Sequence, residues 1–261
     1  MTSALYVART GLDAQDMRMR VISNNLANVN TTGFKRDRAD FETLLYQSVR
    51  PAGAATSQST DSPTGLSLGT GVRVAGTARM HTQGPLTTTG NGLDVALDGP
   101  GFFQIERPDG RTGYTRDGSF KLSADGKLVT SSGYALSPSI SIPAGATGLT
   151  IAPDGTVSAV LPGEATATEL GSIQLADFPN AAGLAPLSGN LFEESTASGS
   201  AVVGAPGADG RGRLVQGTLE ASNVNVVEEL VEMIQTQRAY EVNSKVITAV
   251  DGMMRYATQN L

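Results

Sequence analysis

The chain has 261 residues, 39% hydrophobic and 17% charged, with 31 glycines, 12 prolines, no cysteine and no tryptophan. Its formal charge of −6 and the lack of any basic run argue against a nucleic-acid partner, because phosphate binding needs clustered Lys and Arg. Missing cysteine excludes disulfides and thiolate zinc sites, and no apolar run approaches the roughly 20 residues that cross a bilayer, so membrane insertion is not expected.

The first element is predicted over residues 2–30. Leu5, Ala8, Leu12, Met19, Ile22, Leu26 and Val29 recur in steps of three, four and seven, the seam of a coiled coil broken by Gln15. Asp16 and Arg20 stand four apart and can pair on the outer face. Thr31-Thr32-Gly33 stops the helix, with Gly33 available for a left-handed cap. No basic, apolar, then small-residue order opens the chain, so a cleaved signal peptide is not expected.

Residues 47–69 follow with Ser, Thr, Ala, Gly and Pro and no periodicity, which reads as extended or unstructured. From about residue 71 to 217 the texture is short strands and tight turns. Asp-Gly occurs at 109–110, 117–118, 125–126, 154–155 and 209–210, the first three at intervals of eight residues. Such pairs predict hairpin turns with both central residues at positive φ, hence an antiparallel β domain.

The last element opens at Asn225, which with Glu228 three residues on forms a capping box, and Glu229 adds a first-turn acid. It runs to about Ala257, roughly 45–50 Å. Val227, Leu230 and Ile234 begin an apolar stripe that Val246, Val250, Met253 and Ala257 continue. Glu241 and Lys245 form a favourable i,i+4 pair. Val231, Met233, Val242, Ile247 and Met254 lie off that stripe, so the helix is apolar on more than one face. Two arrangements would cover it: a hairpin folded back on the β domain, or burial against other subunits.

Candidate chemistry is sparse. His81 is the sole histidine and has no metal-ligating or triad companions in sequence; Asp94 and Asp98 read as turn and strand-edge acids. Gly69-Thr70-Gly71 and Gly99-Pro100-Gly101 lack the Lys and βαβ context of a phosphate loop. No enzyme activity, cofactor or metal is expected. Asn24, Asn25, Asn28 and Asn30 cluster where a helix favours Ala or Leu. Surface solvation explains them; alternatively Asn24 and Asn28, one turn apart, fix the register of a helix interface.

At these residues a resemblance becomes specific. ISNNLANVNTTGFKR (22–36) resembles the N-terminal signature of flagellar rod and hook proteins, and SNVNVVEELVEMIQTQRAYEVNSKVITAVDGMM (222–254) is similar to their C-terminal one. GTGVRV (69–74), GPGFFQI (99–105) and YTRDGSF (114–120) match between them in the same order, while residues 162–213 match more loosely. LLYQSVRPAGAATSQSTDSPTGLSLGTG (44–71) is similar to the insertion that separates distal rod from flexible hook.

The resemblance implies an α+β fold with terminal helices forming a coiled-coil-like core and a central antiparallel β domain. It divides the chain into helical segments 1–35 and 218–261, a rod-specific segment 36–70 and a β domain 71–217. It also implies a subunit of a rigid helical tube, the distal rod, with a proximal rod or hook subunit as the alternative. The helix interface would be Leu5, Leu12, Met19, Ile22, Asn24, Leu26, Asn28, Val227, Leu230, Ile234, Val246, Val250 and Met253. Tyr46, Pro51, Pro63, Leu66 and Leu68 would stiffen the shaft. Implied partners are further copies of the chain, proximal rod proteins, the hook protein, the P-ring and L-ring bushing proteins, a rod cap and the type III export apparatus. The location would be the periplasm-spanning basal body.

Overall fold

The computed structural model describes residues 2–51, 53, 63–161 and 166–259. It has an α+β architecture: helix α1 (Thr2–Ala27), helix α2 (Val226–Gln259), and antiparallel β structure between them. The chain divides into two compact units. One comprises Met1–Leu26, Asp37–Ala78 and Asn225–Leu261; the other comprises Ala27–Arg36 and Arg79–Val224.

The helix limits follow from their caps. α1 ends at Ala27, three residues short of the expected end; Thr31 and Phe34 then close tight turns onto the carbonyls of Asn28 and Thr31, and Gly33 takes φ +66°. α2 begins after Asn225, whose Oδ1 accepts the Val227 N–H at 3.1 Å while its carbonyl accepts the Glu229 N–H at 3.0 Å. That is the N-cap the sequence predicts, with Glu228 and Glu229 in the positive first turn. Arg20 donates to Asp16 at 2.9 Å as expected. Among the described residues no ion pair joins Glu241 to Lys245; on α2 the i,i+4 pair is Asp251 with Arg255, at 2.8 Å.

The segment read as unstructured is ordered at both ends. Tyr46–Arg50 pairs antiparallel with Leu66–Gly69 as a two-stranded ribbon, while residues 52 and 54–62 lie outside the described residues. Composition concealed this pairing because eleven Ser, Thr, Ala and Gly residues among positions 51–65 dilute two short strands. Both strands are exposed throughout, and Tyr46, Val49, Leu66 and Leu68 face solvent.

In the β-rich unit the central strand is Phe102–Glu106. It pairs with Thr112–Thr115 on one edge; Leu175–Asp177 (at Phe102 and Phe103) and Ala135–Leu136 (at Ile105 and Glu106) share the other. Alternation across this strand gives the unit two cores. Phe103 and its partner Leu175 join Val95, Leu97, Phe120, Leu128, Leu136, Val157, Ile173 and Leu214 on one face. Phe102 and its partner Ala176 join Tyr114, Phe178, Leu184 and Phe192 on the other. Edge-to-face contacts, such as Phe103 with Phe120 at 5.2 Å and Tyr114 with Phe178 at 4.8 Å, fill both.

The Asp-Gly turns differ from expectation in type. Only Asp209-Gly210 has both residues at positive φ. At 107–111, 123–127 and 152–156 only the glycine is left-handed, and paired bonds such as Arg107 N–H to Arg111 O (3.1 Å) and Gly110 N–H to Arg107 O (3.0 Å) close a type I turn with a glycine bulge. Three-residue loops of this kind are a common hairpin solution because the bulge restores strand twist. Gly118 is no turn residue: a Cβ there would collide with the Val95 carbonyl.

Candidate functional site: the helices and their anchors

Within the helical unit, α1 and α2 meet side by side in opposite directions. The Asn243 amide lies against Gly11, where an added Cβ would come within 3.1 Å of its nitrogen. Arg18 Nη2 reaches Glu232 Oε2 at 3.4 Å, and Asn25 Nδ2 reaches Glu229 Oε2 at 3.3 Å. These contacts are polar and are not the apolar knobs of a coiled coil.

Asn25 is the principal junction here. It is buried and presents a backbone-like edge to Asp37: its Nδ2 donates to the Asp37 carbonyl at 2.9 Å, and its Oδ1 accepts the Asp37 N–H at 2.9 Å. One side chain thus ties the end of α1 to the strand Asp37–Thr43 and to the first turn of α2. Asn24 is exposed, and Asn28 sits beyond the helix end, where its Oδ1 accepts from Thr31 Oγ1 at 3.2 Å. Asn25, three residues from buried Ile22, occupies the inward position.

α2 carries two opposed faces. Each residue advances ~100° around the axis, which puts Glu229, Glu232, Thr236, Ala239, Asn243, Ile247, Val250 and Met254 on one side, and these are buried or half-buried. On the other side, Val227 is 69% exposed, Leu230 42%, Val231 47% and Ile234 49%. The sequence had joined Val227, Leu230 and Ile234 to Val246, Val250 and Met253 as one stripe. They are not in phase, since the 12 residues from Ile234 to Val246 rotate the face by about 120°. Val250 points inward, whereas Val246 and Met253 are exposed; the Ala257 side chain lies outside the described residues. On α1, Ile22 is buried and Leu5, Leu12, Met19 and Leu26 are half-buried. Pro51 and Pro63, at the ends of the described ribbon, are exposed.

The β-rich unit anchors the segments next to both helices through a buried ionic cluster that the sequence did not announce. Glu220 and Lys35 are fully buried, with Lys35 Nζ 2.5 Å from Glu220 Oε1 and 2.7 Å from the Thr82 carbonyl. Glu220 Oε1 also accepts the Gly84 N–H at 2.9 Å, and Oε2 accepts from Arg116 Nη1 at 3.3 Å. Arg116 lies over the Phe102 ring, 5.3 Å from its centroid. Burial pushes Lys35 below its ordinary pKa of 10.5, with the Glu220 carboxylate opposing that shift, and it lowers Arg116 in the same way. Beside the cluster Asn223 Oδ1 accepts the Arg36 N–H at 2.7 Å, and its amide donates to the Met80 carbonyl at 2.8 Å. Residues from the first segment (Lys35, Arg36), the β strands and the lead to α2 (Glu220, Asn223) are thus locked together.

Among the described residues no three His, Asp or Glu side chains gather to hold a metal, and no helix is long and apolar enough to cross a membrane. The antiparallel β unit carries buried anchors, and α2 shows an apolar face to solvent. Comparison with known proteins gives the class. Residues 5–35 match the model of the flagella basal body rod protein, 96–159 that of the flagellar hook protein FlgE/F/G D1 domain, and 215–260 that of the flagellar basal body rod FlgEFG protein C-terminal region. The chain is 52% identical to the flagellar basal-body rod protein FlgG of Buchnera aphidicola (Acyrthosiphon pisum), over 99% of this chain and all of that one. It is 48% identical to FlgG of Agrobacterium fabrum over 99% of both, and 33% identical to FlgF of Caulobacter vibrioides over all of this chain and 98% of the relative. The chain belongs to the flagellar basal-body rod protein family, a structural class of the flagellar basal body. A structural subunit of the distal rod is the function that these full-length similarities support.

Proposed function

We propose that the chain polymerises into the rigid tube of the distal rod, with the exposed face of α2 as its principal assembly surface. The observation that carries this is the inversion of α2: polar Glu229, Glu232, Thr236 and Asn243 face inward, while Val227, Leu230, Val231 and Ile234 face solvent. A lone subunit has no use for that arrangement, and a neighbour does. These four side chains are already about half covered, so burying the rest of them is worth about 3–6 kcal/mol gross, against an association cost of about 4–15 kcal/mol. One contact alone is therefore marginal, and stability comes from several neighbours at once, as in a closed tube wall.

The interface set would include Leu5, Leu12, Met19, Leu26, Val246 and Met253 beside the α2 patch, and the terminal helices would form the coiled-coil-like inner wall only in the polymer. The ribbon bearing Tyr46, Leu66 and Leu68 has no fully buried residue within its own chain, and an isolated two-stranded ribbon is marginally stable. Lying across an adjacent subunit, it would add contacts that resist bending and so help carry torque to the hook. The P-ring and L-ring would meet the β surface, proximal rod, rod cap and hook proteins would meet the tube ends, and subunits would arrive through the type III export apparatus.

Assembly of the full chain tests this. Leu230→Glu with Ile234→Glu should abolish tubes seen by electron microscopy and leave the unfolding transition of the unassembled protein in place, because both side chains are exposed. Unimpaired tubes from that variant would refute the assignment of α2. Deleting residues 47–69 should yield a more bendable shaft, and unchanged stiffness would favour a proximal rod or hook role.

A further inference from the structure

The helical unit holds a second apolar feature, a groove of about 920 Å³. Its walls are Tyr6, Val7 and Gly11 of α1, Leu68 and Gly71 at the base of the ribbon, and Val246 of α2. The walls are closely fitted: Val72 N–H donates to Thr10 Oγ1 at 3.4 Å, and Gly71, at φ +124°, has no room for a Cβ beside Thr10. Tyr6 and Leu68 are more than half exposed, so the groove is apolar and open.

We infer that this groove receives the first half of α2 from a second copy of the chain. Val227, Leu230, Val231 and Ile234 follow the i, i+3, i+4, i+7 pattern by which an amphipathic helix enters an apolar groove. The same chain cannot supply them. Val246 is itself part of the groove wall, and α2 is one uninterrupted helix from Val226 to Gln259, so Leu230 lies roughly 24 Å from Val246 along the axis. Donor face and receptor groove are therefore different surfaces of one molecule. Such a contact is heterologous: each copy that fills a neighbour's groove leaves its own open, and the chain of contacts extends as a filament unless its rotation happens to close a ring. The ribbon end at Leu68 then forms part of the receptor, which couples the rod-specific segment to the helix contact. The inference rests on the assembly reading above and adds its pairing and direction.

The chain lacks cysteine, so engineered thiols report pairing without background. Val7→Cys and Leu230→Cys proteins, each single-site, are mixed at assembling concentration, oxidised and mapped by peptide analysis, with Tyr6→Cys and Ile234→Cys as a second pair. The expected result is a 7–230 or 6–234 link between different chains, formed only in the sedimenting fraction. Tubes that give only 230–230 and 234–234 links, or none in either pair, would overturn the groove while leaving assembly through α2 intact. If neither the wild type nor the variants associate at any concentration, the groove and the assembly reading fall together.

Discussion

Substituting Glu220→Gln tests the buried anchor most directly. Glu220 accepts three hydrogen bonds, from Lys35 at 2.5 Å, Gly84 N–H at 2.9 Å and Arg116 at 3.3 Å, and neither Glu220 nor Lys35 is solvent-accessible. Glutamine keeps the shape and can still accept the Gly84 N–H, but it removes the charge that offsets two buried cations. Breaking one partner of a buried ion pair costs about 3–5 kcal/mol, a large part of the stability of a typical domain. The assay is urea unfolding of the full chain at neutral pH, at a concentration where it sediments as a monomer, followed through near-ultraviolet tyrosine dichroism; Tyr114 in the second core is the relevant reporter. The midpoint should fall with an unchanged m-value. The triple variant Lys35→Met, Arg116→Met, Glu220→Leu should regain most of that loss, since well-packed apolar groups commonly replace buried ions at little cost. A loss below about 1 kcal/mol in Glu220→Gln, or a triple variant no better than the single, would refute the view that the cluster is a tightly coupled charge set.

Between the lowered folded pKa of Lys35 and 10.5 the unfolded chain holds a proton that the folded chain has released, so this group makes the fold more stable as pH rises through that interval. The stability difference between wild type and Lys35→Met should accordingly shift toward the wild type on titrating from neutral toward pH 10.5, and a shift the other way would contradict the direction. Asn25→Ala removes both bonds to the Asp37 backbone and should cost about 2–4 kcal/mol locally, with faster hydrogen exchange at the Asp37 amide; Asn24→Ala should leave that amide unchanged. Gly110→Ala should cost only about 1–2 kcal/mol of backbone strain, since a Cβ there meets nothing within 4 Å, while Gly155→Ala should cost more because its Cβ would strike the Ile173 carbonyl. Thermal unfolding of the two variants side by side decides it.

Sequence by itself determined much of what is local, though not the expected Glu241–Lys245 pair. The Asn225 cap, the Asp16–Arg20 pair and the approximate span of both helices come from contacts within a few residues, which periodicity and capping chemistry encode. Asp-Gly marked hairpins at 109–110, 125–126 and 154–155 but not at 117–118, where Gly118 is held against the Val95 carbonyl, and which residues became left-handed depended on the strand pairing around each turn. The matched terminal signatures carried the family, because they extend over dozens of residues in fixed order. Tertiary structure alone decided which side of each helix turns inward. Asn25 was chosen over Asn24 and Asn28 by the position of Asp37 and Glu229, the latter 204 residues away in sequence. Lys35, Arg116 and Glu220 carry no spacing signal, for they come from three separated segments and become a cluster only when those segments share one buried site. The ribbon of Tyr46–Arg50 with Leu66–Gly69 was hidden because pairing across a polar spacer leaves no periodic trace. The inversion of α2 had the same origin: hydrophobic residues covered more than half its circumference, so the pattern named an apolar helix, and only its neighbours in the fold determined which face remained for another subunit.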